Sequence, residues 1–71
     1  MEEMREENNA IPVRLRDEGR TATWNPAVTR AGQVLLRVRR EDGEVEVRRT
    51  VNSGRARVRA GEIIESVVPV E

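Results

Sequence analysis

The sequence predicts an all-β fold: a small barrel or sandwich of five or six short strands with a short acidic N-terminal arm. Three observations carry this. Of the 18 large apolar residues (eleven Val, three Ile, three Leu and Trp24), 14 are Val or Ile, whose branched Cβ suits a pleated strand and crowds a helix. Apolar and polar residues alternate along several short runs, the period of a strand with one buried face. Turn-forming clusters separate those runs at Asp17-Glu18-Gly19, Asn25-Pro26, Asp42-Gly43 and Asn52-Ser53-Gly54.

Residues 1–9, MEEMREENN, are too charged and too poor in apolar side chains to build a core. They are expected to form an acidic arm, flexible or docked, carrying Glu2, Glu3, Glu6 and Glu7. Composition changes at Ala10, and residues 10–71 form the single β domain. In IPVRLR, Ile11, Val13 and Leu15 share one strand face and Arg14 and Arg16 the other. After the turn at 17–19, RTATW gives a second strand, which Asn25-Pro26 ends because proline cannot donate to a ladder. Residues 34–51 read as a hairpin around Asp42-Gly43. A two-residue loop there makes opposed residue numbers sum to 85. Val38 then faces Val47, Val34 faces Val51 and Arg39 faces Glu46, with the unfavourable pair Arg37 and Arg48 also opposed. RARVR follows, with Ala56 and Val58 inward and Arg55, Arg57 and Arg59 outward. The last strand holds two doubled apolar pairs, Ile63-Ile64 and Val67-Val68, which place apolar side chains on both faces. Pro69 marks it as an edge or terminating strand.

The stretches RAGQVLLRV (30–38) and RAGEIIESV (59–67) repeat one frame at an offset of 29 residues. Gly32 and Gly61 are expected to supply a turn or bulge before each aliphatic pair; the repeat marks either two halves with pseudo-twofold symmetry or a common way of entering a strand, used twice. The pattern over 29–70 resembles the lipoyl and biotinyl carrier domains, in which Gly-polar-aliphatic turns recur in two quasi-symmetric halves. The resemblance implies that halved fold. Those domains carry their cofactor on a hairpin-tip lysine; the tip here is Glu41-Asp42-Gly43-Glu44 and the chain has no Lys, so the carrier function does not transfer.

A chain of 71 residues with 18 large apolar side chains builds only a small core, and small domains usually add disulfides, a metal or association. There is no Cys and no His, which removes disulfides and the usual zinc ligands together. Association remains. The expected partners are further copies of the chain or a larger protein assembly, with Trp24, Ile63, Ile64, Val67, Val68 and Val70 as candidate contact residues. Trp24 is also the one side chain large enough to plug a Val-rich core. Without His, Cys, Lys or Tyr the usual catalytic bases and nucleophiles are missing. The expected function is therefore non-enzymatic and structural or adaptor-like, with no cofactor; an accessory component of a virion or similar shell fits its size.

All 13 basic residues are Arg, balanced by 13 acids. The charges are segregated: residues 30–59 hold nine Arg against four acids, between acidic ends. Arg37, Arg39, Arg48, Arg55, Arg57 and Arg59 are candidates for a guanidinium stripe on one sheet face, which would bind nucleic-acid phosphates. The simpler expectation is that they pair with Glu44, Glu46, Glu62, Glu65 and the acidic arm of a neighbour. No apolar run reaches the length of a membrane span, and the N-terminus lacks a signal-peptide core. A cytoplasmic or virion-associated setting is expected, without a membrane partner.

Overall fold

The computed structural model describes residues 10–70. It is all-β, built as two three-stranded antiparallel sheets. The strands are β1 (Val13–Arg16), β2 (Thr21–Trp24), β3 (Gln33–Arg39), β4 (Val45–Val51), β5 (Arg55–Arg57) and β6 (Ile63–Val70). A 3-10 turn, Pro26–Val28, follows β2, where Asn25 caps it by accepting from the Ala27 amide at 3.0 Å. The first sheet has the order β1-β2-β5 and the second β4-β3-β6. No helix of the described residues is long and apolar enough to cross a membrane.

The inner faces of both sheets share one core: Ile11, Ala22, Trp24, Val34, Leu36, Val38, Ile64 and Val67. Along β3 burial alternates as the sequence requires, with Val34, Leu36 and Val38 inside. Backbone bonds join β6 to the first sheet: the Ile11 amide donates to the Val67 carbonyl at 2.8 Å and the Ile64 amide to the Gly19 carbonyl at 2.7 Å. Leu15 shares a parity with Ile11 and Val13 but lies past the end of the core, 42% exposed. Ala56 and Val58 point toward the core while Arg55, Arg57 and Arg59 point out, as expected.

The hairpin register differs from the expected one. Opposed residues sum to 84, so Val38 faces Glu46, Arg39 faces Val45 and Arg37 faces Val47. The cause is the loop. Arg40 O accepts from the Gly43 amide at 2.9 Å, and the Arg40 amide donates to Glu44 O at 2.7 Å. Gly43 takes φ 91° while Asp42 does not enter the left-handed region. That is a three-residue loop closed by a left-handed glycine, whereas a two-residue loop of the expected kind needs positive φ at both central residues. A slip of one residue turns every β4 side chain to the opposite face. Val45, Val47 and Val51 therefore face outward and Glu46, Arg48 and Thr50 inward. The unfavourable Arg37–Arg48 opposition disappears with the slip: Arg48 lies across from Leu36.

In β6 the ladder shifts between Arg37 and Val38 of its partner strand, leaving Glu65 as the extra residue of a bulge. The bulge lets Ile64 and Val67, three apart, both reach the core with zero exposure. Each doubled pair splits as expected, Ile64 and Val67 inward, Ile63 and Val68 outward. Pro69 sits on an outermost strand, where the lost amide is tolerated.

The two Arg-Ala-Gly stretches each lead into a strand, but they are not structurally equivalent. Gly61 has φ 86° and closes a turn in which the Glu62 amide donates to Arg59 O at 3.0 Å; Gly32 has no positive φ. At the shared offset Val34 is fully buried and its counterpart Ile63 is 44% exposed. The repeat therefore does not carry a twofold relation through the strands it opens.

Gly19 gives a first test of the packing. Its φ is 88°, and a Cβ built there would stand 2.7 Å from Ile63 Cγ2; at Gly43, with φ 91°, nothing lies within 4 Å. Gly43→Ala should cost only the left-handed penalty, about 1–2 kcal/mol. Gly19→Ala adds displacement of Ile63 and should lower the urea midpoint further. Equal midpoints for the two variants would refute the close approach.

Candidate interaction surfaces

Three surfaces gather the chemistry-bearing side chains. The first is the outer face of the second sheet. Its cross-strand rows, from β4 through β3 to β6, are Val51–Gln33–Val70, Arg49–Leu35–Val68, Val47–Arg37–Ser66 and Val45–Arg39–Ile63. Val45, Val47, Val51 and Ile63 are 41, 51, 59 and 44% exposed, and Leu35, Val68 and Val70 are half-buried. The rows divide by chemistry. Val51, Leu35, Val68 and Val70 gather at one end beside Gln33 and Arg49, and Val45, Val47 and Ile63 flank Arg37 and Arg39 of the central strand at the other. Arg39 Nε donates to the bulged Glu65 at 2.6 Å.

The second is an ion-pair cluster at the core-side edge of β4. The Arg48 guanidinium forks onto Glu62, with Nη2 to Oε2 at 2.7 Å and Nη1 to Oε1 at 3.2 Å, and also reaches Glu46 Oε1 at 3.2 Å. Glu62 Oε1 accepts from the Arg59 amide at 3.1 Å as well, tying the cluster to the turn before β6. Arg40 Nε lies 3.2 Å from Glu46. The Arg48 hydrogen bond holds the carboxyls of Glu62 and Glu46 below their ordinary value of 4.5, and at Glu62 the Arg59 amide adds to this. Arg48 is correspondingly raised, first by Glu62 and then by Glu46. A carboxyl depressed in the folded state stabilises above its unfolded value, and that contribution is lost as pH falls through the folded one. Thermal midpoints should therefore hold from neutral pH down to about 4.5 and drop below it. Glu62→Gln should flatten the drop; an unchanged acid profile would show that the pair contributes nothing to folding.

The third is the outer face of the first sheet. The pairings Arg14↔Thr23↔Arg55 and Arg16↔Thr21↔Arg57 set two rows of arginine-threonine-arginine across β1, β2 and β5. Arg16, Asp17, Thr21, Thr23, Arg55 and Arg57 line a cleft of about 310 Å³ there. Thr21 Oγ1 donates to Asp17 Oδ2 at 3.1 Å and Thr23 Oγ1 to the Arg14 carbonyl at 3.4 Å.

The single guanidinium stripe expected from the sequence is thus divided. Arg37 and Arg39 lie on the outer face of the second sheet, and Arg48 points to the core side. Arg55 and Arg57 lie on the outer face of the first sheet, and Arg59 stands in the turn before β6. Pairing of Arg48 with Glu46 and Glu62, and of Arg39 with Glu65, follows the simpler expectation. Arg14 and Arg16 went unselected because their neighbours on β5 are some 40 residues away in sequence. Alternation alone had placed them outward, but no sequence signal names the strand beside them.

Of the candidate contact residues, Trp24, Ile64 and Val67 lie in the protein's own core, while Ile63, Val68 and Val70 sit on the outer face of the second sheet. Trp24 is the plug: it is 7% exposed, and its Nε1 donates to Asn52 Oδ1 at 2.7 Å. Asn52 in turn donates to the carbonyls of Ala31 and Pro26, at 2.9 and 3.2 Å. The acidic-arm residues Glu2, Glu3, Glu6 and Glu7 lie outside the described residues. No protein-family model matches the chain, and no curated protein or solved structure shows significant similarity to it.

Proposed function

We propose that this protein is a non-enzymatic assembly module that works by associating with copies of itself through the outer face of its second sheet. One observation carries the reading: Val45, Val47, Val51 and Ile63 share that face and are all more than 40% exposed. Exposed apolar side chains gathered on one face of a small protein, here interleaved with Arg37, Arg39 and Arg49, are a typical contact surface. The rest of the molecule supports the need for a partner. Only seven of the 18 large apolar residues are buried among the described residues, and the chain has no cysteine to add a disulfide. Two sheets sharing one core fit a small sandwich whose second layer exposes a further face able to pack against another sheet.

A second copy fits this face better than an unrelated surface because of how its rows divide. A twofold axis near Leu35 would stack the apolar ends, Val51, Leu35, Val68 and Val70, against each other. The same rotation would carry the Arg37 and Arg39 ends to opposite sides; Arg49, in the Leu35 row and bonded to Gln33 at 3.3 Å, would lie near its own copy and is the like-charge cost of the contact. Such an isologous contact uses the same patch on both copies. The acidic residues Glu2, Glu3, Glu6 and Glu7 of a neighbour would then complement the arginine-bearing ends, setting register more than affinity. From ordinary strand spacings a face of three strands and seven residues measures about 14 by 24 Å. That is about 340 Å² on each copy, below the standard of about 800 Å² per partner, so association should be weak and show only toward millimolar concentration.

Sedimentation velocity from nanomolar to millimolar concentration tests this. The expected result is a shift from one copy to two toward the millimolar end of the range, weakened when residues 1–9 are removed. A single copy across the whole range would end the proposal.

A further inference from the structure

We propose that the outer face of the first sheet binds the sugar-phosphate backbone of a single-stranded nucleic acid, without regard to base sequence. This goes beyond self-assembly and uses the opposite side of the molecule. Arg14 and Arg16 on β1 and Arg55 and Arg57 on β5 flank the threonines of β2. Two strand spacings separate the arginine columns by about 10 Å, and a cleft lies between them. None of the four guanidinium groups makes an ion pair among the described residues, whereas Arg39, Arg40 and Arg48 are each paired with glutamate. Guanidinium forks match phosphate oxygens in pairs, so the face presents four exposed forks along a channel one backbone wide.

The absence of apolar residues from these two rows decides between polyanions. A protein segment needs buried apolar or aromatic anchors to bind well, and these six positions are arginine and threonine only. A phosphate chain needs nothing but the charges, since counterion release supplies the affinity. The single aromatic residue, Trp24, is buried in the core, so no platform exists here for stacking bases. Recognition is accordingly of backbone alone. Asp17 sits at one end of the cleft, held by Thr21, and limits the channel there.

The test is fluorescence anisotropy of a labelled oligothymidine with the full chain over a range of salt concentrations. Four phosphate contacts on a single strand predict a log–log slope near about −3. The double variant R16Q/R57Q should weaken binding at least tenfold and roughly halve the slope, while Arg30→Gln, an exposed change outside the rows, should leave both unchanged. If circular dichroism shows R16Q/R57Q misfolded, R14Q/R55Q replaces it with the same expectation. Salt-insensitive or absent binding overturns the proposal, as does a folded double variant that binds like the parent. Equal competition by a polyglutamate peptide at matched charge also overturns it, because the face would then be a dock for acidic protein segments.

Discussion

Trp24→Ala should cost about 3–5 kcal/mol of folding free energy, the usual range for removing a buried aromatic. A 71-residue chain has a total stability of only about 4–10 kcal/mol, so the variant should be largely unfolded at modest urea. Two losses combine. The indole is the largest member of an eight-residue core, and neighbouring valines cannot fill the space it leaves. Its N–H also satisfies Asn52 Oδ1 at 2.7 Å, and Asn52 holds the carbonyls of Ala31 and Pro26. Truncation thus loosens the loop before β3 and the turn after β2 together. Trp24→Phe separates the two losses: it keeps most of the ring and strands only the amide oxygen, at about 1–3 kcal/mol. Urea titration by far-ultraviolet circular dichroism gives both values. A Trp24→Ala penalty below that of Trp24→Phe would show that the ring does not plug the core.

The second large effect concerns association. Val51→Glu should lower the self-association constant at least a hundredfold while leaving the fold intact. Val51 is 59% exposed in the single copy, so the monomer loses little. In a twofold contact the change occurs twice. Each valine removed from burial forfeits about 1.5 kcal/mol or more, and two such losses correspond to roughly a hundredfold in affinity. The carboxylate adds a desolvation cost. Val28→Glu is the matched control: Val28 is 51% exposed but belongs to the 3-10 turn, away from the sheet face. Sedimentation should show the first variant as a single copy where the parent and the control are double. If both variants associate alike, the contact lies elsewhere.

Local chemistry was readable where one residue or one period decides the outcome. Asn25-Pro26 ended β2, Pro69 marked an outer strand, and the doubled pairs of β6 sent side chains to both faces. The arginines of β5 pointed outward and Ala56 and Val58 inward. The exposed apolar side chains on the outer face of the second sheet were partly named, through Ile63, Val68 and Val70, although Trp24, Ile64 and Val67 belong to the core. Its β4 half was hidden, because Val45, Val47 and Val51 look like core residues in an alternating strand.

By itself, then, the sequence determined the strand content, the turn positions and the parity within each strand except across the bulge of β6. Tertiary structure decided which parity faces inward and which strands lie side by side. The reason is that alternation is a relative signal. One extra loop residue at Gly43, or one bulged residue at Glu65, inverts a strand's facing without altering its pattern. Sheet neighbours such as β1, β2 and β5 meet only when residues far apart in the chain pack around a common core, and so does the four-arginine face they create.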